Sequence, residues 1–335
     1  MIVRMTLLSI LIISLSPMSN ANANSPSTNP IVVEFIDNMT SKHDFNKREL
    51  TVMFEQVEIL PEVIKKITRP AESWPWHRYR NLFIKQERID QGVEFWNENA
   101  EQLALAEKQF GVPAEIIVAI IGVETKYGRI TGSYRLLDSL TTLMVDYPRR
   151  SKFFSRELEH TLLLAREEKI DPLSVHGSYA GAMGKPQFMP SSYRAYAIDF
   201  DGDGHRDLWN NTADAIGSVA SYLKKHKWKA NQPIVGVAKV EGDGYKEFLK
   251  KGLKPKVKLN EIGKYSVSTD LDETLNLKVA LIELEQKNGK EYWLGLGNFY
   301  SITRYNHSKL YAMAVYQLAE SVREKKQSQN ISMRP

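Results

Sequence analysis

The stretch Ala114–Thr125, AEIIVAIIGVET, constrains the fold most, because apolar side chains fall on nearly every side of a helix built from it. A helix that is hydrophobic all round lies inside the core of its domain. Pro113 stands where the first residue of such a helix is expected, since its missing N–H costs nothing there. The sequence therefore predicts a buried helix at the centre of a domain.

Glu124 lies at the end of this predicted helix and is followed by Thr125, Lys126, Tyr127 and Gly128. A carboxyl group in apolar surroundings resists ionisation. A carboxylic acid that keeps its proton near neutral pH can protonate the leaving oxygen of a glycoside. Glu124 is therefore a candidate general acid. The alternative is a buried structural glutamate that pairs with Lys126 or with neighbouring backbone.

The segment Gly177–Ser192, GSYAGAMGKPQFMPSS, combines three glycines and two prolines and suits neither a helix nor a strand. It predicts a shaped loop whose backbone approaches a ligand closely. Ser178 and Gln187 are the side chains in it that we expect to form hydrogen bonds with that ligand. The alternative is a tight connecting loop without a ligand.

The segment Asp199–Asp207, DFDGDGHRD, matches the first half of an EF-hand loop, with glycine at loop position 6. Asn210 replaces the bidentate glutamate of position 12, and the next carboxylate is Asp214. Oxygen ligands at this spacing suit Ca²⁺, which we expect to play a structural part. The carboxylates at positions 1, 3 and 5 are Asp199, Asp201 and Asp203. The alternative is a solvated turn rich in aspartate and glycine.

The rest of the chain is mainly helical up to about Lys229. Asp90–Phe110 has apolar residues at helical spacing and ends at Gly111, and Asp214–His226 is amphipathic with Asp214 as its N-cap candidate. Trp74–Arg80 is dense in aromatic and basic residues. Such a cluster could stack on sugar rings, but packing at a domain surface is the favoured interpretation.

Beyond Ala230 the pattern changes to that of strands. Leu277–Glu285 and Glu291–Leu296 alternate in hydrophobicity, and Asn288-Gly289 between them predicts a hairpin turn. A last helix is expected at Ser308–Lys325, followed by a polar tail that frays. Tyr305 and Asn306 stand just before that helix, as a cap or a sugar contact.

The N-terminus has the pattern of a secretory signal. Arg4 precedes the apolar stretch Thr6–Ser16, and Ala21-Asn22-Ala23 is a small-x-small cleavage site. We expect cleavage after Ala23 and a periplasmic protein, with an uncleaved anchor as the alternative. The sequence has no cysteine, so we expect neither a disulfide nor a lipid on an N-terminal cysteine.

Together these stretches closely resemble the membrane-bound lytic murein transglycosylase B family. Five segments match in the family's order, from about Trp74 to the last helix. They are VETKYG around Glu124, DYPRRSKFFSREL at Asp146–Leu158, GAMGKPQFMPSSY at Gly181–Tyr193, DFDGDGHRDLW at Asp199–Trp209 and TRYNHSKLYAMAV at Thr303–Val315. Two departures are the missing lipid-bearing cysteine and Phe153, which replaces a tyrosine of the family.

The resemblance implies an α+β fold, with a mainly helical lysozyme-like core, an attached α-domain and a small antiparallel β-domain. The expected divisions are a signal peptide at 1–23, an α-domain at 24–105, the core at 106–229, the β-domain at 230–301, and a returning helix with a polar tail at 302–335. It also implies cleavage of the β-1,4 bond between N-acetylmuramic acid and N-acetylglucosamine, with a 1,6-anhydromuramoyl product.

The resemblance implies a role for each candidate residue. Glu124 would be the catalytic acid and then the base, with no cofactor in the chemistry. The glycan-binding residues would be Ser178, Gln187, Tyr305, Asn306 and Tyr311, and less securely Tyr79 and Tyr222. The calcium ligands would be Asp199, Asp201, Asp203, the His205 carbonyl and Asp214.

The chain carries 45 basic and 40 acidic residues, a net charge of +5, which suits an anionic partner. Peptidoglycan glycan strands are the expected partner, nucleic acid is not expected, and the protein is expected to be a monomer. Two other functions stay open. One is a hydrolytic muramidase with the same core, and the other is a non-catalytic peptidoglycan-binding protein.

Overall fold

A computed structural model describes residues 25–68, 74–272 and 274–332. The predicted signal peptide and its cleavage site lie outside the described residues. These residues form two compact units, one that extends to Val57 and one that starts at Glu58. The predicted domain boundaries after residues 105, 229 and 301 all fall inside the second unit. None of the helices in the described ranges has both the length and the apolar composition that a membrane span requires.

The first unit contains two helices, α1 at Pro30–His43 and α2 at Lys47–Glu55, after a 3₁₀ turn at Pro26–Thr28. The Asn46 side chain caps α2 by accepting from the backbone N–H groups of Arg48 and Glu49. Phe35 and Phe54 meet edge to face, with ring centroids 5.7 Å apart. Local capping and this small core hold the unit together.

The second unit is mainly helical. Short 3₁₀ helices occur at Pro148–Arg150, Pro172–Ser174 and Leu259–Tyr265. The α-helices are α3 Pro61–Ile67, α4 Trp76–Arg80, α5 Gln86–Glu98, α6 Ala100–Phe110, α7 Ala114–Thr125, α8 Leu136–Asp146, α9 Ser151–Glu168, α10 Pro190–Tyr196, α11 Thr212–Lys225, α12 Tyr245–Leu249, α13 Gly297–Tyr305 and α14 Lys309–Ser332.

The predicted central helix is confirmed, because α7 has ten of its twelve residues buried. It packs against α5, α6, α11 and α14. Each of its fully buried Ile and Val side chains contributes about 1.5–3 kcal/mol relative to exposure. Pro113 was predicted inside the helix but is its N-cap, with φ −57° and ψ 142°. Its extended ψ turns the chain into the first helical residue.

Two helix predictions are wrong in detail. Asp90–Phe110 is two helices, because Asn99 leaves helical geometry and its side chain donates to the Phe95 carbonyl at 2.8 Å. The predicted end at Gly111 is confirmed by its left-handed φ of 69°. Asp214 does not cap α11. Asn211 does so, accepting from the Asp214 N–H at 3.2 Å.

The predicted antiparallel β-region is confirmed as a five-stranded sheet in the order β4-β6-β7-β3-β5. Gly289 forms the turn of the predicted hairpin with φ 92°, and Leu281 stands opposite Leu294. A two-stranded ladder pairs β1, Tyr134–Arg135, with β2, His176–Gly177. The strands of the larger sheet are β3 Val235–Val240, β4 Val257–Lys258, β5 Val267–Thr269, β6 Lys278–Glu285 and β7 Lys290–Gly295.

The region before the last helix departs from the prediction. Residues 297–305, GNFYSITRY, form α13, whose low helix propensity hid it from the sequence pattern. Asn306 is therefore the C-cap of α13 and lies between that helix and α14. The polar tail predicted to fray is helical as far as Ser332, in α14. The α+β class with a mainly helical composition is confirmed.

Gly122 on α7 makes room for the Tyr127 side chain. A Cβ added at Gly122 would lie 2.6 Å from three atoms of the Tyr127 side chain. That ring is held from its far end, because its hydroxyl donates to the Arg88 carbonyl at 2.8 Å. Tyr127 also packs against Phe95, at 5.6 Å between centroids.

We therefore expect Gly122→Ala to lower the free energy of unfolding by about 1–3 kcal/mol, the usual cost of overpacking. The higher helix propensity of alanine would by itself raise the free energy of unfolding by about 1 kcal/mol. The steric clash with Tyr127 therefore decides the sign of the net change. Urea denaturation followed by circular dichroism measures it. Gly263→Ala is the matched control, since a Cβ there meets nothing within 4 Å. Equal effects of the two substitutions would contradict the packing argument.

Candidate active site

The chain leaves α7 through a sharp left-handed turn directly after Glu124. Lys126, Tyr127 and Gly128 have φ values of 51°, 61° and 86°. Such angles are unfavourable for residues with a side chain, so surrounding contacts must hold them. The Lys126 N–H bonds to the Gly122 carbonyl at 3.2 Å, and the Tyr127 N–H to the Ile121 carbonyl at 3.3 Å. Both bonds close the end of the helix.

Thr125 connects this turn to the loop that was predicted to approach a ligand. Its buried hydroxyl donates to the Lys185 carbonyl at 2.9 Å, lies 3.2 Å from the Ile121 carbonyl and accepts from the Gly128 N–H at 3.0 Å. One hydroxyl thus bonds to two backbone groups, as donor to the Lys185 carbonyl and as acceptor from the Gly128 N–H. The residue next to Glu124 therefore fixes the position of the helix end against the loop.

Glu124 is half-buried, and α14 supplies a hydrogen-bond donor to its carboxyl group. The Tyr311 hydroxyl donates to the Glu124 Oε1 atom at 2.6 Å. Burial, together with the Glu124 carboxylate, holds the pKa of Tyr311 well above its ordinary value, so that the hydroxyl stays a proton donor. This hydrogen bond holds the carboxyl group in one orientation.

Tyr311 is the first member of an array of aromatic side chains that contact one another. Tyr305 stacks on it at 6.3 Å with an angle of 12°, and Tyr222 lies 4.8 Å from Tyr305. His226 stacks on Tyr222 at 4.0 Å. We call this array the aromatic wall; its members are Phe188, Tyr196, Tyr222, His226, Tyr305 and Tyr311.

Hydrogen bonds anchor the wall to neighbouring backbone. The Tyr305 hydroxyl donates to the Pro186 carbonyl at 2.5 Å, and the Tyr222 hydroxyl to the Arg304 carbonyl at 2.5 Å. Burial, then the nearby Glu124 carboxylate, raises the pKa of Tyr305 well above its ordinary value. Both hydroxyls therefore remain protonated donors at neutral pH.

Ser178 and Gln187 lie half-buried in the loop and support its shape. The Ser178 Oγ accepts from the Ala182 N–H at 3.0 Å. Gln187 adopts a left-handed φ of 50°, and its side-chain amide donates to the carbonyls of Thr131 and Gly184, both at 3.0 Å. The sequence pattern assigns these two side chains to a ligand, and that role stays a prediction.

The remaining glycan candidates differ in exposure. Tyr79, Tyr222 and Tyr311 are 3%, 7% and 2% exposed, so each presents little surface to a sugar. Tyr79 packs between Trp76 and Phe83, as the favoured packing interpretation of that cluster expects. Asn306 is half-buried, and its carbonyl accepts from the Ser308 N–H. Their predicted glycan contacts stay predictions.

The three carboxylates of the EF-hand-like loop converge. One oxygen from each of Asp199, Asp201 and Asp203 lies within 4.8 Å of the others. Backbone N–H donors, that of Gly204 foremost, hold the pKa of Asp199 below its ordinary value. Gly204 has φ 92°, as position 6 of such a loop requires. This set of hard oxygens fits Ca²⁺.

Asp214 is fully buried behind the loop. Its two oxygens accept from the N–H groups of Phe200 and Asp207 at 2.7 and 2.8 Å, while burial raises its pKa. It therefore ties the loop's two ends to α11. The assignment of Asp214 and of the His205 carbonyl as metal ligands stays a prediction.

Lys185 was missed by the sequence analysis. Its backbone N–H bonds to the Leu208 carbonyl at 2.8 Å and its Nζ to the Trp209 carbonyl at 2.7 Å. Its own carbonyl accepts from Thr125. Lys185 therefore joins the end of α7 to the segment that follows the acidic loop. A lysine in a glycine-rich loop carries no pattern that would reveal these contacts.

The sequence of this chain is similar to those of known proteins over most of its length. The model of the transglycosylase SLT domain family matches residues 27–320. The membrane-bound lytic murein transglycosylase B of Escherichia coli K12 is 44% identical over 306 residues, which cover 88% of this chain and 83% of that protein.

Solved structures of lytic transglycosylases have a fold similar to that of this chain. The soluble lytic transglycosylase SltB1 of Pseudomonas aeruginosa is 51% identical with a TM-score of 0.84, over 89% of this chain and 100% of that one. Slt35 of E. coli, solved in complex with calcium, is 44% identical with a TM-score of 0.82, over 89% and 94%. SltB3 of P. aeruginosa, in complex with NAG-anhNAM-pentapeptide, is 30% identical with a TM-score of 0.76, over 87% and 78%.

The hydroxyl of Thr125 yields a direct test of this geometry. We expect Thr125→Val to lower the free energy of unfolding by about 1–3 kcal/mol, because the Gly128 N–H loses its acceptor and the Lys185 carbonyl loses its donor. Thr125→Ser keeps the hydroxyl and is the control. Chemical denaturation of the three proteins measures the difference. A valine variant as stable as the serine variant would refute the bridging role.

Proposed function

The chain belongs to the transglycosylase SLT domain family, and we propose that Glu124 carries out the chemistry by which it cleaves peptidoglycan. The reaction is lytic transglycosylation, as in its relatives. The bond broken is the β-1,4 bond between N-acetylmuramic acid and N-acetylglucosamine. The observation that carries the assignment is Glu124 at the end of the buried α7, fixed by the hydroxyl of Tyr311.

The first step needs Glu124 as an acid. The C-terminal end of a helix carries partial negative charge, which favours the protonated form of a carboxyl group placed there. The protonated carboxyl gives its proton to the glycosidic oxygen as the bond to the muramic acid carbon breaks. Positive charge develops at that carbon, and the N-acetyl group of the same sugar is placed to stabilise it.

The second step needs Glu124 as a base. The Tyr311 hydroxyl donates to Oε1, which stabilises the carboxylate left by the first step. That carboxylate takes the proton of the substrate's own C6 hydroxyl, whose oxygen closes the 1,6-anhydro ring. Ordinary glycosidases need a second carboxylate as nucleophile or as base for water. The substrate hydroxyl replaces that requirement, so one carboxylate suffices and no cofactor is needed.

The aromatic wall is proposed to hold the glycan beside Glu124. Tyr305 and Asn306 are half-buried and lie at the turn before α14, and Ser178 and Gln187 lie on the loop that the wall adjoins. Sugar rings stack favourably on aromatic faces. Tyr79, Tyr222 and Tyr311 are almost completely buried. They act mainly by holding the exposed groups and the catalytic carboxyl in position.

Two other functions use the same groove. A hydrolytic muramidase would let water replace the C6 hydroxyl, and its product would be heavier by one water molecule. A non-catalytic peptidoglycan-binding protein would not need an acid, whereas this chain keeps Glu124 and the tyrosine that orients it. The protein is further proposed to act as a monomer in the periplasm, after cleavage of its signal peptide.

The Glu124→Gln substitution is expected to reduce cleavage of purified sacculi at least about a hundredfold, because the amide keeps the shape but has no acidic proton. Mass spectrometry of the released muropeptides measures both turnover and product, and wild type is expected to give anhydro ends. Glu115→Gln, at the opposite end of α7, is the control and should remain active. Near wild-type turnover by the Glu124→Gln variant would refute the assignment.

Calcium is proposed to bind the EF-hand-like loop and to stabilise the fold only. Asp199, Asp201 and Asp203 would hold the ion, with the His205 carbonyl and Asp214 completing its surroundings. Like charges this close repel one another, so a cation relieves that repulsion. The missing glutamate at position 12 suits a weaker site than that of a cytosolic sensor.

Excess Ca²⁺ should therefore raise the melting temperature of chelator-treated protein, with a stabilisation of about 2.7 kcal/mol at a hundred times the dissociation constant. Asp203→Ala should abolish the response, whereas Asp270→Ala, in the β-region, should keep it. Activity at low temperature should survive chelation. A melting temperature that ignores Ca²⁺ would show that the loop is a solvated turn.

A further inference from the structure

A cleft of about 670 Å³ opens where the end of α11, the start of α13 and the segment before β6 meet. We call it the basic cleft. Its lining, in the part of the chain that the structure describes, contains no carboxylate. The six cationic residues that line it are Lys225, Lys227, Lys229, Lys254, Lys278 and Arg304.

These cations lack counter-charges. None of the six forms an ion pair with any of the described residues, although Lys225 donates to the Ala195 carbonyl. A concave surface lined by one sign of charge concentrates the potential and attracts ions of the opposite sign. Gly297, the first residue of α13, also lines the cleft, and no side chain caps that helix. Its partial positive charge adds to that of the lysines.

The basic cleft is continuous with the aromatic wall. Arg304 lines the cleft and precedes Tyr305, and its carbonyl accepts from the Tyr222 hydroxyl. His226 lines the cleft and stacks on Tyr222. The cleft therefore adjoins the wall at His226 and at Arg304. The occupant of the cleft is best sought within the same substrate.

We propose that the basic cleft binds the carboxylates of the peptide stems carried by the glycan strand, an inference that rests on the proposed function. The glycan backbone itself is neutral, and the ionised groups of peptidoglycan are on its peptides. The related SltB3 was crystallised with a fragment that bears a pentapeptide. A concave cleft also suits a peptide chain better than the flat surface of a bilayer.

The test compares two substrates and two variants. Lys254→Glu/Lys278→Glu reverses two charges of the cleft, and Lys108→Glu/Lys287→Glu makes the same charge change elsewhere on the surface. The substrates are glycan strands that keep their peptides and strands stripped of them by an amidase, with the lactyl carboxylates that the amidase leaves behind converted to amides so that these strands are neutral. On peptide-bearing strands the cleft variant should show a KM raised about fivefold, with kcat unchanged. The difference should shrink as salt is added.

On stripped strands the cleft variant, the control variant and wild type should behave alike. An equal loss on both substrates, or no loss on either, would overturn the inference while leaving the proposed function intact. Sedimentation with vesicles containing phosphatidylglycerol tests the competing partner. Vesicle binding that only the cleft variant loses, with unchanged KM on peptide-bearing strands, would show a membrane surface instead. Wild type that cleaves neither substrate would overturn the proposed function itself.

Discussion

The hydrogen bond between Tyr311 and Glu124 can form only if distant segments of the second unit pack together. This requirement accounts for much of the arrangement of that unit. A half-buried carboxyl group at the end of a largely buried helix cannot rely on water alone for its partners, and burial without a partner would be costly. The donor comes from α14, 187 positions away in the sequence. Helices α7 and α14 must therefore pack side by side, and the apolar faces that bring them together also fix the Glu124 carboxyl group, the proposed catalytic group.

The turn after Glu124 shows how the fold stores strain at the site. Two residues with side chains hold left-handed backbone angles there, each at a cost of order 1 kcal/mol. Tyr127 fits only because Gly122 lacks a side chain, and the Thr125 hydroxyl bonds to the Gly128 N–H in the turn and to the Lys185 carbonyl in the adjoining loop. These contacts offset the strain, because none of them could form if the helix simply continued. The backbone that follows Glu124 is therefore held in one conformation.

Sequence patterns predicted those features of the structure that depend on the local spacing of residue types. The bounds of α7, the hairpin around Gly289 and the spacing of the acidic loop all follow from residues close together in the chain. Contacts between distant segments could not be predicted in this way. The Lys185 link and the burial of Tyr222 depend on which helices pack together. A local hydrogen bond explains another miss, since the Asn99 side chain donates to the Phe95 carbonyl and ends a helix that the apolar pattern extends.

The acidic loop and Glu124, the proposed catalytic residue, belong to the same unit and are connected through a series of hydrogen bonds. The route from the loop runs through the carbonyls of Leu208 and Trp209 to Lys185, and from there to Thr125. It ends on backbone next to Glu124 and not on the carboxyl group. The orientation of that group is set by Tyr311 on α14, which the route does not include. An ion bound in the loop, as proposed, would therefore stabilise the position of the helix end, while the proposed proton transfers would depend on the separate contact between Tyr311 and Glu124.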